Sequence, residues 1–278
     1  MKAAALGRLA CVAALAAALA LCVSACGEPG AAGTFTPRTP GTLTVATAQI
    51  PDPGFWSGTA QRPAGGFEYE LARALAGHFG LAKVKVVLVP FKHLVAGELG
   101  GADLAISDIT VTPERAQRVS FSSPYLSAPP SILVRPGTHV PDVQSAQGLR
   151  WAVQDGTTLQ RALEQTIRPS SAPLIFEHQA QALAALRDGR ADAVMLDLPV
   201  ALSYARESPD VYAVAAQLPS EAVLAAALPK GSENVEAVDS ALRALSSDGT
   251  IERLAREWLH TDVSEGRVEH VPALRTGE

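Results

Sequence analysis

Arginine is a costly residue in the first turn of a helix, where the aligned peptide dipoles leave partial positive charge. In "VTPER", Thr112 stands at a cap, Pro113 opens the turn and Arg115 lies inside it. A carboxylate gripped by both arms of the guanidinium would offset that cost. The plainer reading is a surface pair with Glu114 or Asp108, worth at most about 1 kcal/mol. A second candidate anion site is "QDGTTLQ", where Gly156, Thr157 and Thr158 lie between a strand and a helix and can present N–H groups and hydroxyls. Capping of that helix by Thr158 explains the same letters. Asp197 closes the apolar run "DAVML", and is either a helix cap for "LPVALSYA" or an acceptor for an ammonium group, helped by the Thr110 hydroxyl and strand-end carbonyls. Taken together, the three sites match the two ends of an amino acid, a carboxylate and an ammonium.

The elements that must position these residues contain a repeated phrase. "GGADLAISD", Gly100 to Asp108, returns as "GRADAVMLD", Gly189 to Asp197. Each copy reads as a helix ending at glycine, a buried strand, and an aspartate where the strand leaves its sheet. In open α/β sheets ligands sit beyond the carboxyl ends of the strands, so Ser107 to Thr110 and Asp197 are expected to line one crevice. Around the first copy, "LTVAT", "FEYELARALAGHFG", "VKVVLV" and "FKHLVAGELG" alternate short β-branched runs with amphipathic segments. Leu71, Leu75 and Phe79 give one buried helical stripe, which Gly80 terminates. The alternation restarts at "LRWAVQ" and runs through "TLQRALEQTI", "LIFE" and "AQALAALRDG", which implies a second α/β lobe. Two more helical segments, Asn234 to Ser246 and Thr250 to Leu259, follow, and the tail from His260 reads as loosely packed.

The opening "MKAAALGRLACVAALAAALALCVSAC" has Lys2 and Arg8 ahead of an apolar run from Leu9 to Ala25. The run is shorter than the roughly 20 residues a spanning helix needs, and it stops at small residues, as an export signal does. All three cysteines, Cys11, Cys22 and Cys26, fall within it or at its end, so no internal disulfide is expected beyond Cys26. The "VSAC" segment resembles the lipobox of bacterial lipoproteins, which implies cleavage after residue 25 and a diacylglycerol on Cys26. Residues 26–42, rich in Gly, Pro and Thr, then form a solvated tether. The formal net charge is −5 and no Lys/Arg run is present, which argues against nucleic acid as a partner.

From Leu43 to Leu259 the chain resembles the polar amino acid binding proteins of ABC importers, the type II periplasmic-binding-protein family. The resemblance rests on "GGFEYELARALAGHFGL", "GADLAISDITVTPERAQRVSFSSPYL", "VQDGTTLQ", "ALAALRDGRADAVMLD" and "DGTIERLAREWL". It implies the family's α/β fold, two lobes joined by a two-stranded hinge with the ligand cleft between them. The implied boundaries are 43–130 with 221–262 for the first lobe, 131–220 for the second and 263–278 for a C-terminal tail. By position, Arg115 would hold the ligand α-carboxylate with help from Thr110 and Thr158 beside Thr157, and Asp197 the α-amino group. Lobe closure would capture the amino acid, and a membrane permease would receive it from a lipid-anchored monomer facing the extracytoplasmic side. Two departures stand out. Asp108 occupies a position where relatives have glycine or serine, so it either neutralises Arg115 or favours a cationic ligand. "AQIPDPGFWSG" stands where relatives commonly show an aspartate and a tyrosine before a proline-phenylalanine pair, and its Phe55 and Trp56 either stack on the ligand or pack as core.

Rival readings are an enzyme of the same fold, acting on a small carboxylate as a cyclohexadienyl dehydratase does, and a ligand-sensing lipoprotein. No "GxSxG" occurs, and the six histidines show no paired metal spacing. Neither metal nor cofactor is expected, and a binding protein is the preferred reading.

Overall fold

The computed structural model describes residues 33–260 and 271–275. The export segment, Cys26 and residues 27–32 lie outside the described residues. The rest of the expected tether is not free in solvent: Phe35 is buried against Phe79, and the Arg38 N–H donates to the Asp103 carboxylate, because these residues pack onto the first lobe. No helix among the described residues is long and apolar enough to cross a membrane.

The chain enters through β1 (Thr42–Thr47), in which Leu43, Val45 and Ala46 are all fully buried, as a strand covered on both faces requires. A loop and a small ladder, β2 (Ser57–Gly58) with β3 (Pro63–Gly65), lead into α1 (Phe67–His78). The α1 stripe Phe67, Leu71 and Leu75 packs into the core, and Gly80 follows at φ 68, the left-handed conformation that ends a helix. Next come β4 (Lys83–Leu88), α2 (Phe91–Val95), β5 (Leu104–Ala105), α3 (Pro113–Ala116) and the long β6 (Val119–Ser127). The segment "FKHLVAGELG" thus supplies one short helix rather than a long one, since Gly97 takes φ 91 and breaks it.

The second lobe holds β7 (Pro130–Val134), α4 (Val143–Gln147), β8 (Trp151–Gln154), α5 (Thr158–Ala162) with a π-helical extension to Ile167, and β9 (Leu174–Phe176). It is completed by α6 (Gln179–Arg187), β10 (Ala193–Asp197), α7 (Leu198–Glu207) and β11 (Ala213–Gln217). Then β12 (Val223–Pro229) returns to the first sheet, and α8 (Val235–Ser247) and α9 (Thr250–Leu254), extended by a π-helical turn to Leu259, cover it.

Two five-stranded mixed sheets result, ordered β4-β1-β5-β12-β6 and β11-β7-β10-β8-β9. The repeated phrase occupies the middle strand of each, β5 and β10. Its shared Ala-Asp pair does the same work twice. Ala102 and Ala191 are fully buried, while the Asp103 carboxylate accepts from the Thr44 N–H at 2.7 Å and the Asp192 carboxylate from the Arg150 N–H at 3.1 Å. Each aspartate therefore ties its central strand to the start of the neighbouring parallel strand.

The sheets are joined where β6 runs into β7 through Ala128 and Pro129, and where β11 runs into β12. These crossings lie side by side: the Ala128 N–H donates to Ala222 O at 2.9 Å, and the Leu218 N–H to Pro130 O at 2.8 Å. The tail departs from its expected looseness. Val271 and Leu274 are buried against the second lobe, with hydrogen bonds from Gln217 N to Pro272 O and from Leu274 N to Gln217 O. The free edge of β11 gives these residues backbone partners that a local pattern does not reveal.

Candidate functional site

A small cavity of about 40 Å³ lies between the lobes at the carboxyl ends of both central strands. That is room for roughly one water. Its walls include Ser107, Asp108, Thr110, Arg115 and Phe91 from the first lobe, and Thr157, Thr158, Gln154, His178, Gln179 and Asp197 from the second. Ala48, Gln49 and Asp52, after β1, and Leu159 of α5 complete it.

Arg115 is only 7% exposed. The Thr112 hydroxyl caps α3 by accepting from the Arg115 N–H, as the sequence suggested. The guanidinium donates to Thr110 O at 2.8 Å and across the cleft to Gly156 O at 3.4 Å, and it stacks over Phe91 at 5.2 Å. Its partners are thus carbonyls and an aromatic face. Glu114 pairs instead with Arg161 across the cleft, at 2.5 Å. Burial pulls the guanidinium down to about 10, opposed by Asp197 and Asp108.

In "DGTTLQ" the cap is one residue earlier than expected. Thr157, in extended backbone conformation, accepts from the Gln160 N–H at 3.1 Å. Thr158 is left free of that duty, and its hydroxyl meets the Thr110 hydroxyl at 3.2 Å. Asp197 likewise does not cap α7 through its side chain. It is 3% exposed, and its Oδ1 is buried without a donor among the described residues. The Asp108 Oδ1 is in the same condition. The two carboxyls lie against one another, a contact that becomes a hydrogen bond when one keeps its proton. Burial raises both, and for Asp108 the neighbouring Asp197 charge adds to the rise.

Asp108 holds a left-handed backbone at φ 52, uncommon for a residue with a side chain. Glu68, fully buried in α1, fixes it by accepting from the Asp108 N–H at 2.8 Å. The same carboxylate takes Trp56 Nε1 and Tyr125 OH, each at 2.6 Å. Asp52 accepts from Gln179 Nε2 at 3.4 Å and Tyr204 OH at 3.3 Å, both from the second lobe. Burial pushes its carboxyl up to about 7, reinforced by Glu68.

Phe55 and Trp56 do not line the cavity, contrary to the stacking role considered for them. They are 0% and 1% exposed, and lie in the core beside Phe67 and Tyr69. The loop folds back on itself through paired backbone bonds between Asp52 and Trp56, which turns the aromatic rings inward and Asp52 toward the cleft. Sequence reading missed Asp52, Glu68, Phe91, His178 and Gln179. Asp52 alone carried a local signal, an acidic residue in an otherwise apolar loop between two prolines. Among the described residues no group of three His, Cys, Asp or Glu side chains is arranged to hold a metal ion.

Comparison with known proteins agrees with this architecture. Over 206 residues the chain is 29% identical to the L-cystine-binding protein TcyJ of Escherichia coli (strain K12), covering 72% of this chain and 76% of that protein. The arginine-, lysine-, histidine-binding protein ArtJ of Geobacillus stearothermophilus superposes with a TM-score of 0.71 at 27% identity, covering 80% of this chain and 97% of its own. An ancestral amino acid-binding protein, AncCDT-1, described as a precursor of cyclohexadienyl dehydratase, gives 0.68 at 32% identity, covering 79% and 95%. Residues 43–261 match the family as a whole, and with its two mixed-sheet lobes the chain belongs to the bacterial extracellular solute-binding proteins, family 3.

Proposed function

We propose that this protein captures a free polar or charged amino acid outside the cytoplasm and delivers it to an ABC importer. The observation that carries the reading is the opposition of buried Arg115 on one lobe and buried Asp197 on the other, both bordering one cavity. Arg115 would take the α-carboxylate with the Thr110 and Thr158 hydroxyls, and Asp197 the α-ammonium. A ligand so held bridges the lobes, and the paired crossings at Ala128 and Ala222 would serve as the hinge. Binding energy then stabilises the closed form by differential affinity. The relatives' names support this reading, since cystine, arginine and glutamine binders recur among them. They are binders rather than enzymes, and this chain is read the same way.

Export and anchoring complete the proposal. The "VSAC" sequence would be cleaved before Cys26, whose lipid would hold the monomer at the outer face of the cell membrane, with the residues between Cys26 and the buried Phe35 as the tether. Titration calorimetry against each common amino acid, with Arg115→Ala as control, tests the capture step. Binding of at least one amino acid that weakens by about a hundredfold or more in the control is expected; a folded protein that binds none would overturn the reading. Cys26→Ser should move the protein from the membrane fraction to the medium or periplasm.

A further inference from the structure

We propose that the ligand carries a second positive charge, an ammonium or guanidinium side chain, and that Asp52 is the residue that receives it. This rests on the amino acid reading above and narrows it. Three carboxyls, Asp52, Asp108 and Asp197, border the cavity against one guanidinium, Arg115. Among the described residues none of the three forms a salt bridge, although Lys92–Glu177 and Glu114–Arg161 show that cations lie close to the cleft rim.

A zwitterionic ligand does not change this balance, because its carboxylate and ammonium cancel. Arg115 is matched by the α-carboxylate and Asp197 by the α-ammonium, which leaves the Asp52 and Asp108 carboxyls buried without a cation beside them. Asp52 is the one best placed to meet a side chain. It is 6% exposed, it faces the cavity from a loop remote from Arg115 in sequence, and its partners Gln179 and Tyr204 are neutral donors at long range. Gln49, Gln154 and Gln179 add amide groups to the same walls, beside the apolar Ala48, Phe91 and Leu159. The cavity therefore offers a carboxylate to a cationic side chain.

The test compares charged amino acids with neutral isosteres, by titration calorimetry on the purified protein at pH 8. Arginine should bind at least about tenfold more tightly than citrulline, and lysine more tightly than norleucine by a similar factor. In Asp52→Asn the ratio of arginine to citrulline affinity should shrink to about twofold or less. Citrulline bound as tightly as arginine by the unaltered protein would overturn the proposal, whether or not the variant folds. Binding of neutral or acidic amino acids alone would remove this inference and leave the capture function standing, whereas no binding of any amino acid would remove both.

Discussion

The hydroxyls of Thr110 and Thr158 meet at 3.2 Å across the cleft, so the two donors suited to a bound carboxylate are here engaged with each other. A ligand carboxylate would replace one hydroxyl–hydroxyl bond with two charge-assisted ones. Thr158→Val should weaken ligand binding about tenfold and change folding stability by less than about 1 kcal/mol, since Thr157 and not Thr158 caps the helix. Calorimetry and urea unfolding on the same preparation check both halves.

Asp108→Gly should act in two directions. Glycine adopts φ 52 without strain, and the backbone N–H to Glu68 survives, so stability should rise by about 1 kcal/mol. Removal of one of two opposed carboxyls should at the same time lower the discrimination between arginine and citrulline. A variant with unchanged preference would show that Asp108 acts on the fold alone.

The raised carboxyls set a pH dependence with a definite sign. Asp52 moves from an ordinary 3.8 to about 7 on burial, so folding favours its protonated form. Its stabilising effect is therefore complete at the acid end and is lost as pH rises through about 7. The difference in urea stability between the unaltered protein and Asp52→Asn should shift against the unaltered protein by up to about 4 kcal/mol between pH 4 and pH 8. A cation bound beside Asp52 reverses the preference. Arginine binding at pH 6.5 should thus release protons, seen as a calorimetric enthalpy that varies with the ionisation enthalpy of the buffer.

Glu68 is a structural carboxylate with three short donors, from Trp56, Tyr125 and Asp108. Glu68→Gln replaces one acceptor oxygen by an N–H₂ that must face a donor. A loss of about 2 to 4 kcal/mol is expected, with a changed near-ultraviolet signal from Trp56. Stability within about 0.5 kcal/mol of the unaltered protein would contradict the assigned role.

The positions of Arg115 and of the two central strands were legible because each departs from, or repeats, a local rule. Arg115 contradicts its helix dipole, and the Gly-Ala-Asp-strand-Asp phrase recurs at equal spacing. What escaped the sequence depends on distant chain. Phe55 and Trp56 follow a strand in a way that suits stacking and core equally, and the Asp52–Trp56 backbone pairing decides between them. The offset of the cap from Thr158 to Thr157 is a one-residue difference that only backbone geometry resolves. Glu68 occupies an acidic first turn that suits the helix dipole, and nothing local marks it as buried beneath Asp108.

Residues near the two ends of the described chain are fastened to opposite lobes. Phe35 stacks on Phe79 at 4.2 Å and Thr36 exchanges hydrogen bonds with Asn234, all in the first lobe, whereas Leu274 is locked to Gln217 in the second. An attachment on the amino side would therefore immobilise the first lobe, and the second would be the moving jaw. Fluorophores placed beside residues 35 and 275 would ride on separate jaws, so the gap between them is a ruler for how far the jaws travel.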